Sequence, residues 1–92
     1  MRRTFKASAE NKPETTFWFE SKASPHSGNG MVAWAGWGLR VPHKNGSGEL
    51  VDMGKAGAYY RSQAEADAAM ASTMADIMGK GEKAGAKIEE VL

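Results

Sequence analysis

The 92-residue chain contains no cysteine. No disulfide can staple its core, and no thiolate can hold a zinc ion; a reducing, cytoplasmic setting is the expectation. A run of about 18 apolar residues, the minimum for a membrane-spanning helix, is also missing. The opening "MRRTFKASAE" is basic but has no apolar stretch behind it, so it does not read as a signal peptide. The net charge of +1 lacks the basic surplus of a dedicated nucleic-acid binder. That small value hides an uneven spread. Residues 1–61 carry nine Lys/Arg and five Asp/Glu, and residues 62–92 carry three and six. Such polarity steers a partner toward one part of the surface.

Catalytic and phosphate-binding patterns are missing as well. His26 and His43 have no Ser or Asp partner at a catalytic spacing, and no H-E-x-x-H pattern occurs. The glycine pairs "GNG", "GWG" and "GSG" do not match the spacing of a nucleotide-binding loop. The expectation is a non-enzymatic protein with no cofactor and no metal.

What is present is one domain's worth of apolar residues in periodic order. The core is thin for its size, because a chain this short buries only about 60–65% of its unfolded surface. "RRTFKASAE" alternates weakly and reads as an arm or edge strand within residues 1–14. "TTFWFESK", Thr15–Lys22, is a β-branched and aromatic strand. Phe17, Phe19 and Ser21 take one face; Trp18, Glu20 and Lys22 take the other. "ASPHSGNG" reads as a loop, punctuated by Pro25, Gly28 and Gly30. In "MVAWAGWGLRV", Met31, Ala33, Ala35, Trp37, Leu39 and Val41 form one apolar face, opposite Val32, Trp34, Gly36, Gly38 and Arg40. Asn45-Gly46 marks a hairpin. "LVDMG" returns as a strand ending near residue 54, and "KAGAYY" connects it to a helix.

That helix has the clearest local signal. Ser62 and Glu65 fit a capping box. Ala66, Met70, Met74, Ile77 and Met78 form an apolar stripe, and Gly79 is a natural terminator. The helix is therefore expected over residues 62–79. "AKIEEVL" fits either a helical turn or a short strand, with the strand favoured. The predicted fold is α+β in two layers: an antiparallel meander of three to four strands within residues 15–54, one helix across one face, and a short C-terminal strand within residues 80–92.

The order of "FWFESKAS", "GWGLRV" and "SQAEADAAM" resembles the first half of the ribonuclease H fold over residues 17–78. That resemblance implies metal-binding carboxylates at Glu20 and Glu65. The chain departs from the family in having Glu20-Ser21-Lys22 where an Asp-led motif stands, and in having no counterpart of the fourth-strand Asp. In topology the chain is similar to truncated members of that fold, the HicB antitoxin-type partners of HicA-type toxins, and to the arm-binding domain of phage integrases, whose sheet meets DNA. Both imply a binding module.

Trp34 and Trp37 are three residues apart and cannot share a strand face. If Trp37 lies under the helix, its loss costs about 3–5 kcal/mol. Trp18 and Trp34 then lie on the other face with Lys22 and Arg40. Either they form an open apolar patch of the kind that marks interaction sites, or the N-terminal strand or last segment covers them. The glycines beside Trp34 leave bare backbone for a flat side chain, from the neighbouring strand or from a partner. The expected function is docking on a protein, as an inhibitor or adaptor of phage or mobile-element type, of which an anti-CRISPR is one instance. The candidate contacts are Trp18, Trp34, Arg40, Lys22 and Lys44. The alternative is a nucleic-acid-binding module using the same residues. Both a monomer and a homodimer fit.

Overall fold

The computed structural model describes residues 1–26 and 29–92; of His26 only the backbone is described. Five strands and one helix follow in the order β1 (Arg2–Ser8), β2 (Thr15–His26), β3 (Met31–Pro42), β4 (Leu50–Tyr60), α1 (Gln63–Lys83) and β5 (Lys87–Val91). The strands form a single sheet in the order β4-β3-β2-β1-β5, with every neighbouring pair antiparallel. The chain leaves one edge of the sheet at β4 and re-enters at the other edge as β5, so α1 must cross the whole sheet. Four strand spacings amount to about 19 Å, and a helix of 21 residues is about 31 Å long. The helix is long enough to make that crossing on a diagonal.

The alternation in the sequence decides the faces. Phe5, Phe17 and Phe19 point under α1, with Phe5 opposite Phe17 across β1 and β2. Their rings stack or meet edge-on with centroids 5.7–6.0 Å apart. Ala33, Ala35 and Ala66 are buried where α1 passes over β3, and their small side chains let helix and sheet approach closely. Met70 joins this cluster at 2% exposure, and Met74, Ile77, Met78 and Ile88 pack against the cluster. The expected helical stripe is the one that packs.

One buried polar contact fixes the helix in register. Ser21 is fully buried, and its hydroxyl donates to Asp67 Oδ1 at 2.6 Å, where the Gln63 side-chain amide also donates at 2.9 Å. The Ser62 hydroxyl caps α1 by accepting from the Glu65 amide at 3.1 Å.

The two-layer α+β class is as expected, with more sheet than the sequence suggested. β1 is an interior strand, because β5 pairs along its outer side from Thr4 to Ser8. The C-terminal segment is a strand. "KAGAYY" continues β4 to Tyr60 across an irregularity near Lys55. β2 runs through Pro25 to His26 past a register shift, the kind of place where a strand tolerates proline; Ser27 and Gly28, part of the expected loop, lie outside the described residues. The helix does not stop at Gly79. It continues to Lys83, and Gly85 at φ +87° takes the left-handed position beyond its end. Gly81 stays helical where Ile88 comes close: a side chain there would begin 3.1 Å from Ile88 Cδ1.

Trp37 does lie on the helix side, stacked on Phe19 at 6.4 Å. It is only half-buried, however. α1 leaves a groove of about 210 Å³ between itself and β4, and Trp37 lines it with Ala56, Ala58 and Thr73.

Candidate docking face

Among the described residues, the second face of the sheet carries no layer of its own. The shortest dimension of the molecule is 21 Å, about the thickness of one sheet plus one helix. The strand registers place five basic side chains on this open face, Arg2, Lys6, Lys22, Arg40 and Lys87, against three acidic ones, Glu20, Asp52 and Glu89. Four glycines, Gly36, Gly38, Gly54 and Gly57, lie toward one edge of it on β3 and β4.

Two of the strand neighbours use that bare backbone. Trp18 on β2 is opposite Gly38, and a Cβ at Gly38 would lie 2.6 Å from Trp18 Cζ2 and 2.2 Å from the Met53 carbonyl oxygen. The Trp18 indole N–H donates to the Leu39 carbonyl at 3.3 Å. Above the ring sits the Arg2 guanidinium, 4.7 Å from its centroid. Trp18 is therefore only 6% exposed. Of the two alternatives for Trp18, the open patch gives way to cover by its own chain: glycine below and arginine above enclose it, and the N-terminal strand supplies the cover.

Trp34 has a different environment. Its indole leans across Gly36 and Gly57, where added side chains would start 2.3 and 2.5 Å from the ring. It stays half-buried. Lys22 and Tyr59 flank it as its direct cross-strand partners, and the Lys22 ammonium is 5.4 Å from the ring centroid. Around this row the face is apolar and accessible, with Val32 at 46% and Tyr59 at 44% exposure.

The charges beside the tryptophans are paired. Asp52 accepts from Arg2 at 2.8 Å and lies 3.4 Å from Arg40. Glu20 is 3.6 Å from Lys22 and 3.9 Å from Arg2. All are partly exposed, and each pair is worth only about 0–1 kcal/mol. Their effect is to hold Arg2 over Trp18 and to lower the net potential at the centre of the face.

Of the five expected contacts, Trp34, Lys22 and Arg40 share the open face, and Trp18 lies beneath it. Lys44 is elsewhere, in the loop between β3 and β4. From Trp34 to Pro42 alone is about 26 Å of strand, so the fold does not bring Lys44 to the Trp34 row. In that loop His43 Nδ1 accepts from the Asn45 amide at 3.1 Å. Tyr59, Val32 and Arg2 were not singled out by sequence. Strand alternation through "AYY" is the signal that places one tyrosine on each face.

The carboxylates implied by the ribonuclease H resemblance do not meet. Glu20 is on the open face, whereas Glu65 lies in the first turn of α1, on the other side of the sheet. Among the described residues no group of three or more His, Asp or Glu side chains is placed to hold a metal ion. No helix among them is long and apolar enough to cross a membrane. Comparison with family models, curated proteins and solved structures gives no match.

Proposed function

We propose that this chain is a non-catalytic docking module, a small inhibitor or adaptor that binds a protein partner through the open face of its sheet. The observation that carries this reading is the Trp34 row. A half-buried tryptophan lies between Lys22 and Tyr59, next to exposed Val32, on a face over which the described residues lay no second layer. An apolar centre containing aromatic residues and bordered by charge is the usual anatomy of a protein interface, and tryptophan is among the residues enriched at its energetic centre.

Charge pairing favours a protein over a nucleic acid. Arg2, Lys22 and Arg40 each lie within 4 Å of Glu20 or Asp52, so their charge is largely answered before a phosphate backbone arrives. Phosphate-driven binding relies on unanswered cations and weakens steeply with salt.

Affinity capture from nuclease-treated cell extract tests the reading. Wild-type protein retains a stoichiometric protein partner, and Trp34→Ala weakens that retention at least tenfold, with modest salt dependence. Equal retention by Trp34→Ala, or a partner lost on nuclease treatment, overturns it.

A further inference from the structure

We infer that Asn45 is a modification site, at which the chain converts its own asparagine to aspartate and isoaspartate with water as the only co-reactant. The site stands apart from the docking face. It lies in the loop between β3 and β4, at the opposite end of that hairpin from Trp34.

In an Asn-Gly pair the glycine nitrogen reaches the asparagine side-chain carbonyl carbon with no Cβ in its way. The chain has two such pairs, Asn29-Gly30 and Asn45-Gly46. The loop geometry selects the second. Every residue from Pro42 to Leu50 is exposed, and a Cβ at Gly46 or Gly48 would meet nothing within 4 Å. Asn45 Oδ1 accepts from the Ser47 amide at 3.0 Å. This bond spans Gly46, so it keeps the side-chain carbonyl folded forward over the attacking nitrogen. Its donor also sits on the oxygen that becomes negative during attack, as in an oxyanion hole. The Gly46 amide itself donates to the His43 carbonyl at 3.3 Å, and this bond must open. The His43 amide closes the base of the loop on the Glu49 carbonyl at 2.7 Å, so opening at Gly46 is local.

Gly30 has less freedom. Asn29 Oδ1 accepts from the Met31 amide, also at 3.0 Å. Met31, however, is already paired with His26 in the sheet, and Arg61 Nη1 lies 3.4 Å from where a Gly30 side chain would begin. Turning the Gly30 amide toward Asn29 works against both.

The step balances without an oxidant or reductant. The Gly46 nitrogen bonds to Asn45 Cγ and gives up its proton. The Cγ–Nδ2 bond breaks, and ammonia leaves carrying that proton. Water then opens the succinimide ring. Opening at Cγ gives aspartate on the ordinary backbone; opening at the main-chain carbonyl gives isoaspartate, with the backbone routed through the side chain. Either product adds a carboxylate beside Lys44, and isoaspartate lengthens the turn that joins β3 to β4.

Timed incubation of the folded protein in neutral buffer at body temperature tests this. Trypsin cuts after Arg40 and Lys44, so the two asparagines fall on separate peptides, and chromatography with mass spectrometry resolves their Asn, Asp and isoaspartyl forms. Asn45 is expected to convert at least fivefold faster than Asn29, with isoaspartate among the products. In strong denaturant the two rates are expected to converge, because the loop geometry is gone. Gly46→Ala is expected to slow conversion of Asn45 at least tenfold and to leave that of Asn29 unchanged, with a thermal melt to confirm its fold. The comparison of folded and denatured wild-type protein reports even if that variant folds poorly. Equal rates in the folded protein, conversion confined to Asn29, an Asn45 that converts only in denaturant, or a difference that persists in denaturant would each overturn the inference.

Discussion

Gly38 and Gly54 sit one strand pair apart in chemistry and far apart in consequence. They face each other across β3 and β4. A methyl group at Gly38 meets the Met53 carbonyl oxygen at 2.2 Å and Trp18 at 2.6 Å, while one at Gly54 meets nothing within 4 Å. Gly38→Ala is therefore expected to destabilise by about 1–3 kcal/mol, as overpacking does. Gly54→Ala is expected to stabilise by about 0.4–1 kcal/mol, through the entropy of the unfolded chain. Urea melts of the two variants check the pair. Equal effects would mean that neither the Met53 carbonyl nor Trp18 closes the space above Gly38. At the same scale, the Asp67 carboxyl is held below its ordinary range, first by the Ser21 hydroxyl and then by the Gln63 amide. Arg3 does the same for Glu90, donating to it at 2.7 and 2.9 Å. Both groups bind protons more weakly folded than unfolded, so their stabilisation is complete above the ordinary carboxylate range and is lost as pH falls through the depressed folded values. Stability is expected to drop below about pH 4. Ser21→Ala is expected to flatten that acid limb while lowering stability at neutral pH. An unchanged acid limb in Ser21→Ala would remove Asp67 from the account of acid sensitivity.

At the scale of elements, local pattern and distant pairing contribute differently. The faces of β2 and β3, the start of α1 and its apolar stripe follow from periodicity and capping, which act within a few residues. Other features depend on contacts far along the chain. β1 becomes interior only because β5, about eighty residues later, pairs with it, and Phe5 joins the core through its pairing with Phe17 on β2. The irregularity near Lys55 reverses which residues of β4 face the helix, so simple alternation from "LVDMG" does not carry through to Tyr60. Gly79 and Gly81 carry no local mark of helix continuation; packing of α1 against the sheet and Ile88 overrides their weak propensity. The proposed docking face was legible in part. Sequence placed Trp18, Trp34, Lys22 and Arg40 on one face, but not the Arg2 side chain that covers Trp18, since that depends on the register of β1 against β2. Element packing also ranks the core. Phe19 is fully buried between β1 and β3, whereas Trp37 borders the groove beside β4. Phe19→Ala is expected to cost about 3–5 kcal/mol, and Trp37→Ala clearly less, in denaturant melts of the two variants. The reverse order would place α1 nearer to β4 than it lies.

For the whole molecule, the uneven charge along the sequence becomes an uneven charge across its thickness. α1 carries four acidic residues against two basic ones, while the open side is apolar around Trp34 and its cations are ion-paired. β4 is an exposed edge of eleven residues, and the irregularity and Lys55 near its middle are devices that discourage edge-to-edge association. The open face is the surface proposed above for a partner. Site-specific photo-crosslinking tests this most directly, with a benzoylphenylalanine placed at Val32 on the open face or at Asp76 on the outer side of α1, in cells or fresh extract. Docking of a protein through the open face predicts a discrete, nuclease-resistant protein adduct from position 32 and none from position 76. Adducts confined to position 76, or a position-32 adduct that nuclease removes, would contradict it.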